Sequence, residues 1–338
     1  MKVLTFGELL LRLSAPGYEK LFQGNNLNAT FCGGEANVAV SLANFGIESK
    51  FVTKLPDSDV GRAAVRALNY FSVETNGVVF GEGRMGLYYL EKGASQRPSK
   101  IIYDRAYSSI ALAKTIDFDW DRLFEGVDWF HFTGIDPALS QNMFEITLEA
   151  CKKAKEKGIF ISCDLNYRKK LWSSGEAQKA MKQLLAYVDL CIGNEEDAQM
   201  ALGYQMSNNI EKAELHDKEY ETIARSISRE YGCKYVAFTL RESFSASHNG
   251  WSALLYSDGK AFKSRHYDIL LVDRVGGGDS FAAGLIYGLL KKMDAQKAIE
   301  FAVAASCLKQ TIEGDFNRCS ENDILELINN NGSGRVQR

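Results

Sequence analysis

Of 338 residues only four are proline and four histidine, and neither sign of charge dominates: 40 Lys and Arg stand against 43 Asp and Glu, a net charge of -3. Proline-rich or low-complexity architectures are excluded, and so is the basic stripe of a nucleic-acid binder. Nucleic acid is not an expected partner. The longest apolar run, Phe281–Leu290, contains two glycines and falls well short of the roughly 20 residues a bilayer span requires. The opening Met1-Lys2-Val3-Leu4-Thr5-Phe6-Gly7-Glu8 meets an acid, and then Arg12, too soon for the apolar stretch of a secretion signal. The expectation is a cytoplasmic protein with no membrane contact. Cysteine is present but unpaired in pattern: Cys32, Cys151, Cys163, Cys191, Cys233, Cys307 and Cys319 are odd in number and contain no C-x-x-C. They read as reduced, mostly buried small hydrophobes rather than as disulfides or zinc ligands.

Several enzyme signatures are also missing. There is no G-x-x-x-x-G-K-[ST], H-E-x-x-H, G-x-S-x-G or H-R-D. Gly81-Glu82-Gly83-Arg84-Met85-Gly86 does fit G-x-G-x-x-G, but a dinucleotide site needs a helix next, and Leu87-Tyr88-Tyr89-Leu90 reads as a strand. The match is read as a turn, which leaves a nicotinamide-dependent dehydrogenase without an anchor.

What is present is an alternation of short β-rich runs and helical patterns. From about residue 120 the runs 129–133, 159–163, 189–192 and 235–239 read as strands separated by helices over about 140–157, 176–187, from 195, and 217–231. Strand and helix in strict turn predict βαβ crossovers and a parallel sheet covered on both faces. Nearer the N-terminus, strands at 3–6 and 51–54 and helices at 35–45 and 58–71 keep this rhythm, whereas 9–13, 87–90 and 101–103 are strands without intervening helices. These predict a small strand set inserted at about 9–31 and 84–110 into one unit spanning 1–328, with 329–338 a disordered tail.

The most informative segment is Asp273-Arg274-Val275-Gly276-Gly277-Gly278-Asp279-Ser280-Phe281, running into an apolar helix. Gly276, Gly277 and Gly278 let backbone N–H groups converge, and the helix start adds free N–H groups and a positive dipole end. That combination suits phosphoryl transfer, where the protein chiefly aligns groups and neutralises charge, and Asp279 could take the proton of an attacking hydroxyl. From the residues alone, a close-packed loop with Asp279 as helix N-cap is an equal alternative.

The wider pattern decides. The segment resembles the D-T-x-G-A-G-D-x-F signature of the ribokinase-like (PfkB) carbohydrate kinases, differing at Arg274 and at the middle glycine. Gly33-Gly34-Glu35-Ala36-Asn37 is similar to that family's first glycine pair, which implies sugar contacts at Gly33, Gly34 and Asn37. Asn194-Glu195-Glu196-Asp197 resembles its N-x-x-E element, implying Asn194 near phosphate and a water-mediated Mg²⁺ near Glu195 or Asp197, with the choice between them open. The resemblance implies a three-layer αβα sandwich with a mostly parallel central sheet and a small β-strand lid, with ATP and Mg²⁺ as cofactors and a monovalent cation as a further candidate.

Two arginine-bearing stretches narrow the substrate. Tyr103-Asp104-Arg105-Ala106-Tyr107-Ser108 and Asp164-Leu165-Asn166-Tyr167-Arg168-Lys169-Lys170-Leu171-Trp172 are similar to the Y-x-R-x-x-S and D-x-N-x-R-x-x-L-W elements of 2-keto-3-deoxygluconate kinases. A sugar acid offers a carboxylate that an Arg fork binds in a closed site, so Arg105 and Arg168 are assigned to the acid end. By the same resemblance Tyr89, Tyr103 and Asp315 are substrate residues, and Asn166, Arg168, Thr239, Arg241, Gly276 and Gly278 line the nucleotide. At Thr239-Leu240-Arg241-Glu242-Ser243-Phe244-Ser245 the family's T-L-G-x-x-G carries side chains at both glycine positions, which leaves the nucleotide contacts there open. The expected activity is an ATP-dependent sugar-acid kinase acting at the 6-hydroxyl of 2-keto-3-deoxygluconate in a homo-oligomer, a dimer through the lid or larger. The alternatives are a kinase for fructose or another neutral sugar, and a non-catalytic sugar-binding regulator on the same fold.

Overall fold

The computed structural model describes residues 1–205 and 217–330. Seven parallel strands form most of the main sheet, in the order β5 (Val78–Gly81), β4 (Glu48–Pro56), β1 (Lys2–Phe6), β8 (Trp129–Thr133), β9 (Phe160–Asp164), β10 (Leu190–Gly193) and β11 (Tyr235–Ser245). Side chains on a strand alternate between faces, so neighbours in sequence enter different cores. Val3 joins the core formed with α1 (Gly34–Asn44), α9 (Gly277–Leu290) and α10 (Ala295–Gln310), while Leu4 and Phe6 join the one formed with α5 (Gln141–Glu156), α6 (Ser174–Leu184) and α8 (Asp217–Tyr231). This is the expected α/β sandwich, with helices on both faces of the sheet. All seven cysteines are free and buried.

The strict strand–helix alternation expected after residue 120 ends at β11. Strands β12 (His248–Ser257), β13 (Lys260–Lys263) and β14 (Tyr267–Leu270) follow with no helix between them, β12 pairing antiparallel with β11, β13 and β14. The connections are too short for a helix: only Ala246 and Ser247 join β11 to β12, and Asp258 and Gly259, at φ 49° and 77°, close a second tight hairpin between β12 and β13. The tail also differs from expectation, because α11 (Glu321–Asn330) includes Asn329 and Asn330; the rest of the expected disordered tail lies outside the described residues.

A second sheet of four strands stands apart, in the order β3 (Asn28–Cys32), β2 (Leu10–Ser14), β6 (Gly86–Glu91) and β7 (Lys100–Asp104). Gly81–Gly86 leads from β5 into β6, so no helix follows it and it is the turn that the sequence predicted. Among the described residues no helix is long and apolar enough to cross a membrane.

Candidate active site

A cavity of about 400 Å³ opens where the small sheet faces the C-terminal ends of the main-sheet strands, the end at which open α/β sheets bind ligands. At its floor is the start of α9. Gly276 is the N-cap residue, at φ 82°, where an added Cβ would lie 2.1 Å from the Asp315 carbonyl oxygen. Only glycine combines that left-handed backbone with that close approach. Gly277, Gly278 and Asp279 form the first helical turn and line the cavity. Asp279 is therefore not the N-cap, and its carboxylate points instead to Asn37, whose Nδ2 donates to Oδ2 at 2.6 Å. Burial pushes Asp279 up to about 6, against the opposing effect of that hydrogen bond.

Asn37 lies on α1, which begins at the first glycine pair. A Cβ on Gly33 would lie 2.1 Å from the Glu8 carbonyl oxygen, so the bare backbone lets α1 start hard against the chain leaving β1. Gly33 N–H donates to Asn37 Oδ1 at 3.3 Å, which fixes the amide so that its Nδ2 faces Asp279. Burial lifts the neighbouring Glu35 carboxyl to about 7.

The small sheet contributes Tyr88 and Tyr103 to the lining, but not Tyr89. Tyr89 lies on the opposite face of β6, with its ring 6.2 Å from that of Phe22, whereas Tyr88 is buried and donates its OH to Asp315 Oδ2 at 2.6 Å. The expectation for Tyr89 is thus corrected by one position, because adjacent residues of a strand face opposite ways.

Asp315 does line the cavity, but it is already engaged. Arg12, 1% exposed on β2, bridges Asp315 and Asp273, with Nη2 2.5 Å from Asp273 Oδ2. Burial works against the Arg12 charge, yet Asp315, Tyr88 and Asp273 hold its pKa above the ordinary arginine value. Asp273 also accepts the Val275 and Gly314 N–H groups, and its carbonyl accepts from the buried Lys309 Nζ at 3.0 Å. Arg105 is likewise paired: Nε donates to Glu8 Oε2 at 2.7 Å, and Ser108 Oγ donates to Glu8 Oε1 at 2.6 Å. Arg12, Asp273, Glu8 and Tyr88 are site residues that sequence reasoning did not single out.

On the far wall, Asn166, Arg168, Asn194, Glu195, Asp197, Thr239 and Arg241 all line the same cavity. Arg168 is exposed and donates Nη1 to the Tyr167 carbonyl at 3.0 Å. Asn194 caps α7 (Glu195–Leu202): its Oδ1 accepts the Asp197 N–H, and Asp197 Oδ2 accepts the Asn194 N–H. Asp197 Oδ1 takes the Tyr167 N–H at 2.7 Å. Burial raises Asp197 to about 6 and also raises Asp164, with Asp197 and Asp279 adding like-charge repulsion on Asp164. No group of three or more His, Cys, Asp or Glu among the described residues is arranged to cage a metal. The wall instead offers hard oxygen donors from one or two carboxylates, which suits a magnesium ion that keeps most of its water and is shared with a phosphate chain. Anion donors, a held carboxylate and oxygen donors for a hard cation thus converge on one cleft.

The chain matches the pfkB family carbohydrate kinase profile over residues 1–321. It is 49% identical to 2-dehydro-3-deoxygluconokinase of Thermotoga maritima, whose crystal structure superposes with a TM-score of 0.94 over 97% of this chain and 98% of that one. It is 29% identical to 2-dehydro-3-deoxygalactonokinase of Haloferax volcanii over 98% of each chain. With 2-dehydro-3-deoxygluconokinase of Bacillus subtilis it shares 25% identity over 94% of this chain and 92% of the other.

Proposed function

The chain belongs to the pfkB family of carbohydrate kinases, and from that premise we propose that it phosphorylates 2-keto-3-deoxygluconate with ATP at the 6-hydroxyl. The observation that carries this reading is the Asn37–Asp279 contact of 2.6 Å at the mouth of the glycine loop, within the cavity that Arg105 and Arg168 also line. Asp279 takes the proton of the substrate hydroxyl as its oxygen attacks the γ-phosphorus, the bond from that phosphorus to the β,γ-bridging oxygen breaks, and ADP leaves. Asn37 aims the carboxylate, and the N–H groups of Gly276–Gly278 with the first turn of α9 stabilise the charge on the transferring phosphoryl. Mg²⁺ bound through water to Asn194, Glu195 or Asp197 would screen the phosphate chain. Arg168 and the Glu8-anchored Arg105 receive the sugar carboxylate. The small sheet serves as a lid that keeps water from the phosphoryl group. Its outer strand leaves Ile102, on the face away from the cleft, 41% exposed, which favours pairing with a second copy.

One observation favours a second reading. Glu8 already neutralises Arg105, so a neutral sugar could bind with Glu8 as a hydroxyl acceptor. The test is turnover of purified protein with ATP and each of 2-keto-3-deoxygluconate, its C4 epimer 2-keto-3-deoxygalactonate, and fructose. Preferred use of either sugar acid supports acid recognition, and the ratio between the epimers sets the C4 preference. Turnover of fructose without either acid would overturn the proposal in favour of the neutral-sugar reading, and sugar binding with no phosphorylation would leave only a regulator.

A further inference from the structure

Four arginines line the cavity, and two of them have acceptors: Glu8 for Arg105 and the Tyr167 carbonyl for Arg168. Arg241, on β11, and Arg274, just before the glycine loop, make no side-chain hydrogen bond or ion pair among the described residues. Beside them lie two buried groups with orphaned polar atoms. Asn249 is 1% exposed with neither Nδ2 nor Oδ1 bonded, and Trp251 is 7% exposed with Nε1 unbonded. Arg241 and Trp251 are directly opposed in the β11–β12 ladder and Asn249 is two residues from Trp251, so the three side chains share one face. Trp251 packs in the same core as Phe281 and Leu285 of α9, which brings that face up to the helix that Arg274 precedes.

Two like charges in a cleft repel, and here burial, then Arg241, lowers the Arg274 pKa to about 10. What satisfies such a pair is a ligand with at least two negative charges, and buried amide and indole N–H groups ask for the same acceptors. A sugar carboxylate carries one charge; the phosphate chain of a nucleotide carries several. Position agrees: β11 is four strands from β1, after which Glu8 stands, about 19 Å at the usual strand spacing. The orphaned donors therefore lie at the end of the cleft away from the Glu8–Arg105 pair.

We propose that Arg241 and Arg274, with Asn249 Nδ2 and Trp251 Nε1 as neutral donors, clamp the non-transferred phosphates of the nucleotide. This rests on the kinase reading above. It accounts for side chains where the family has backbone glycine at 241: charge on a side chain takes over a contact that bare backbone makes elsewhere.

The experiment is calorimetric binding of ADP and of AMP to the full chain and to R241Q, R274Q and the double variant, with melting curves and R241K and R274K as folded, charge-retaining controls. The expected result is that each glutamine variant weakens ADP at least tenfold, the double variant loses the preference for ADP over AMP, the lysine variants fall between, and the KM for sugar stays within twofold. ADP affinities within twofold of the parent would overturn the clamp. Equal weakening of ADP and AMP would also overturn it by placing the contacts on the nucleoside, and so would a raised sugar KM with unchanged ADP binding. Failure of the parent chain to bind ADP at all would instead remove the kinase reading itself, an outcome distinct from the others.

Discussion

Arg12 of the small sheet reaches across the cleft to Asp273, the residue that opens the glycine loop, with Nη2 2.5 Å from Oδ2 and both side chains 1% exposed. The same Asp273 holds the Val275 and Gly314 N–H groups, so one ion pair ties the small sheet to the loop that forms the anion hole. Removing one partner of a buried pair leaves the other charge uncompensated, which costs about 3–5 kcal/mol. Arg12→Met should lose stability of that order in urea unfolding, and its kcat should fall more than its KM for sugar changes, because the loop rather than the sugar pocket loses its support. A variant as stable as the parent would show that Asp273 and Asp315 are not bound as charges.

Gly276 and Gly278 should behave as opposites although they are two residues apart. Gly276→Ala meets the Asp315 carbonyl at 2.1 Å and a φ of 82°, whereas a Cβ on Gly278 has no atom within 4 Å. Strain at a left-handed non-glycine residue costs about 1–3 kcal/mol before the clash is counted. The expectation is a destabilised, nearly inactive Gly276→Ala and a Gly278→Ala that melts within a degree or two of the parent. Comparable melting temperatures for the two variants would contradict the geometry.

Tyr88 and Tyr89 make a similar contrast on β6. Tyr88→Phe leaves Asp315 without the 2.6 Å hydroxyl donor in a buried setting, where an unmet partner costs about 1–3 kcal/mol, and the KM for sugar should rise several-fold. Tyr89→Phe should leave KM within twofold. Steady-state kinetics on the two variants decide it, and a reversed pattern would return Tyr89 to the substrate site.

That one-residue slip marks where the sequence was legible and where it was not. The glycine loop, the Gly33-Gly34-Glu35-Ala36-Asn37 start and the Asn194–Asp197 box are local patterns, each written within a few consecutive residues. Which of two adjacent tyrosines faces the cleft depends on strand register, and a shift of one residue exchanges the faces. The Arg12 contacts join residues 261 and 303 positions apart, and nothing in Leu10-Leu11-Arg12-Leu13 marks its arginine as buried. The β12–β13 hairpin was legible in principle, because Asp258-Gly259 between apolar runs is a strong turn signal that the strand–helix rhythm overshadowed, whereas Ala246-Ser247, which turns β11 into β12, carries no such signal. Asn249 and Trp251, with their orphaned atoms, both lie on β12 ahead of the Asp258-Gly259 turn, and their place on the face of Arg241 follows from the β11–β12 register rather than from any local pattern.

Asp279 gives the most discriminating prediction, since its two roles pull in opposite directions. Burial raises its pKa to about 6, so kcat should fall as pH drops through 6 and the carboxylate takes up the proton it must leave free for the substrate. For stability the direction reverses. An unfolded aspartate titrates near 3.9 (about the usual value), so between roughly pH 4 and 6 the folded state holds more protons than the unfolded one. Stability from this group is therefore greatest below pH 4, declines as pH rises toward 6, and remains lowered above it. Asp279→Asn removes that charge while keeping the shape. At pH 8 it should melt a few degrees above the parent, at about 2–4 °C per kcal/mol, with the difference vanishing toward pH 4. Its kcat should fall by about 10²–10⁴, the usual worth of a general base, while sugar binding persists. An Asp279→Asn protein that melts below the parent at pH 8 would mean the carboxylate is stabilised where it sits, and one that keeps its kcat would mean the proton leaves by another route.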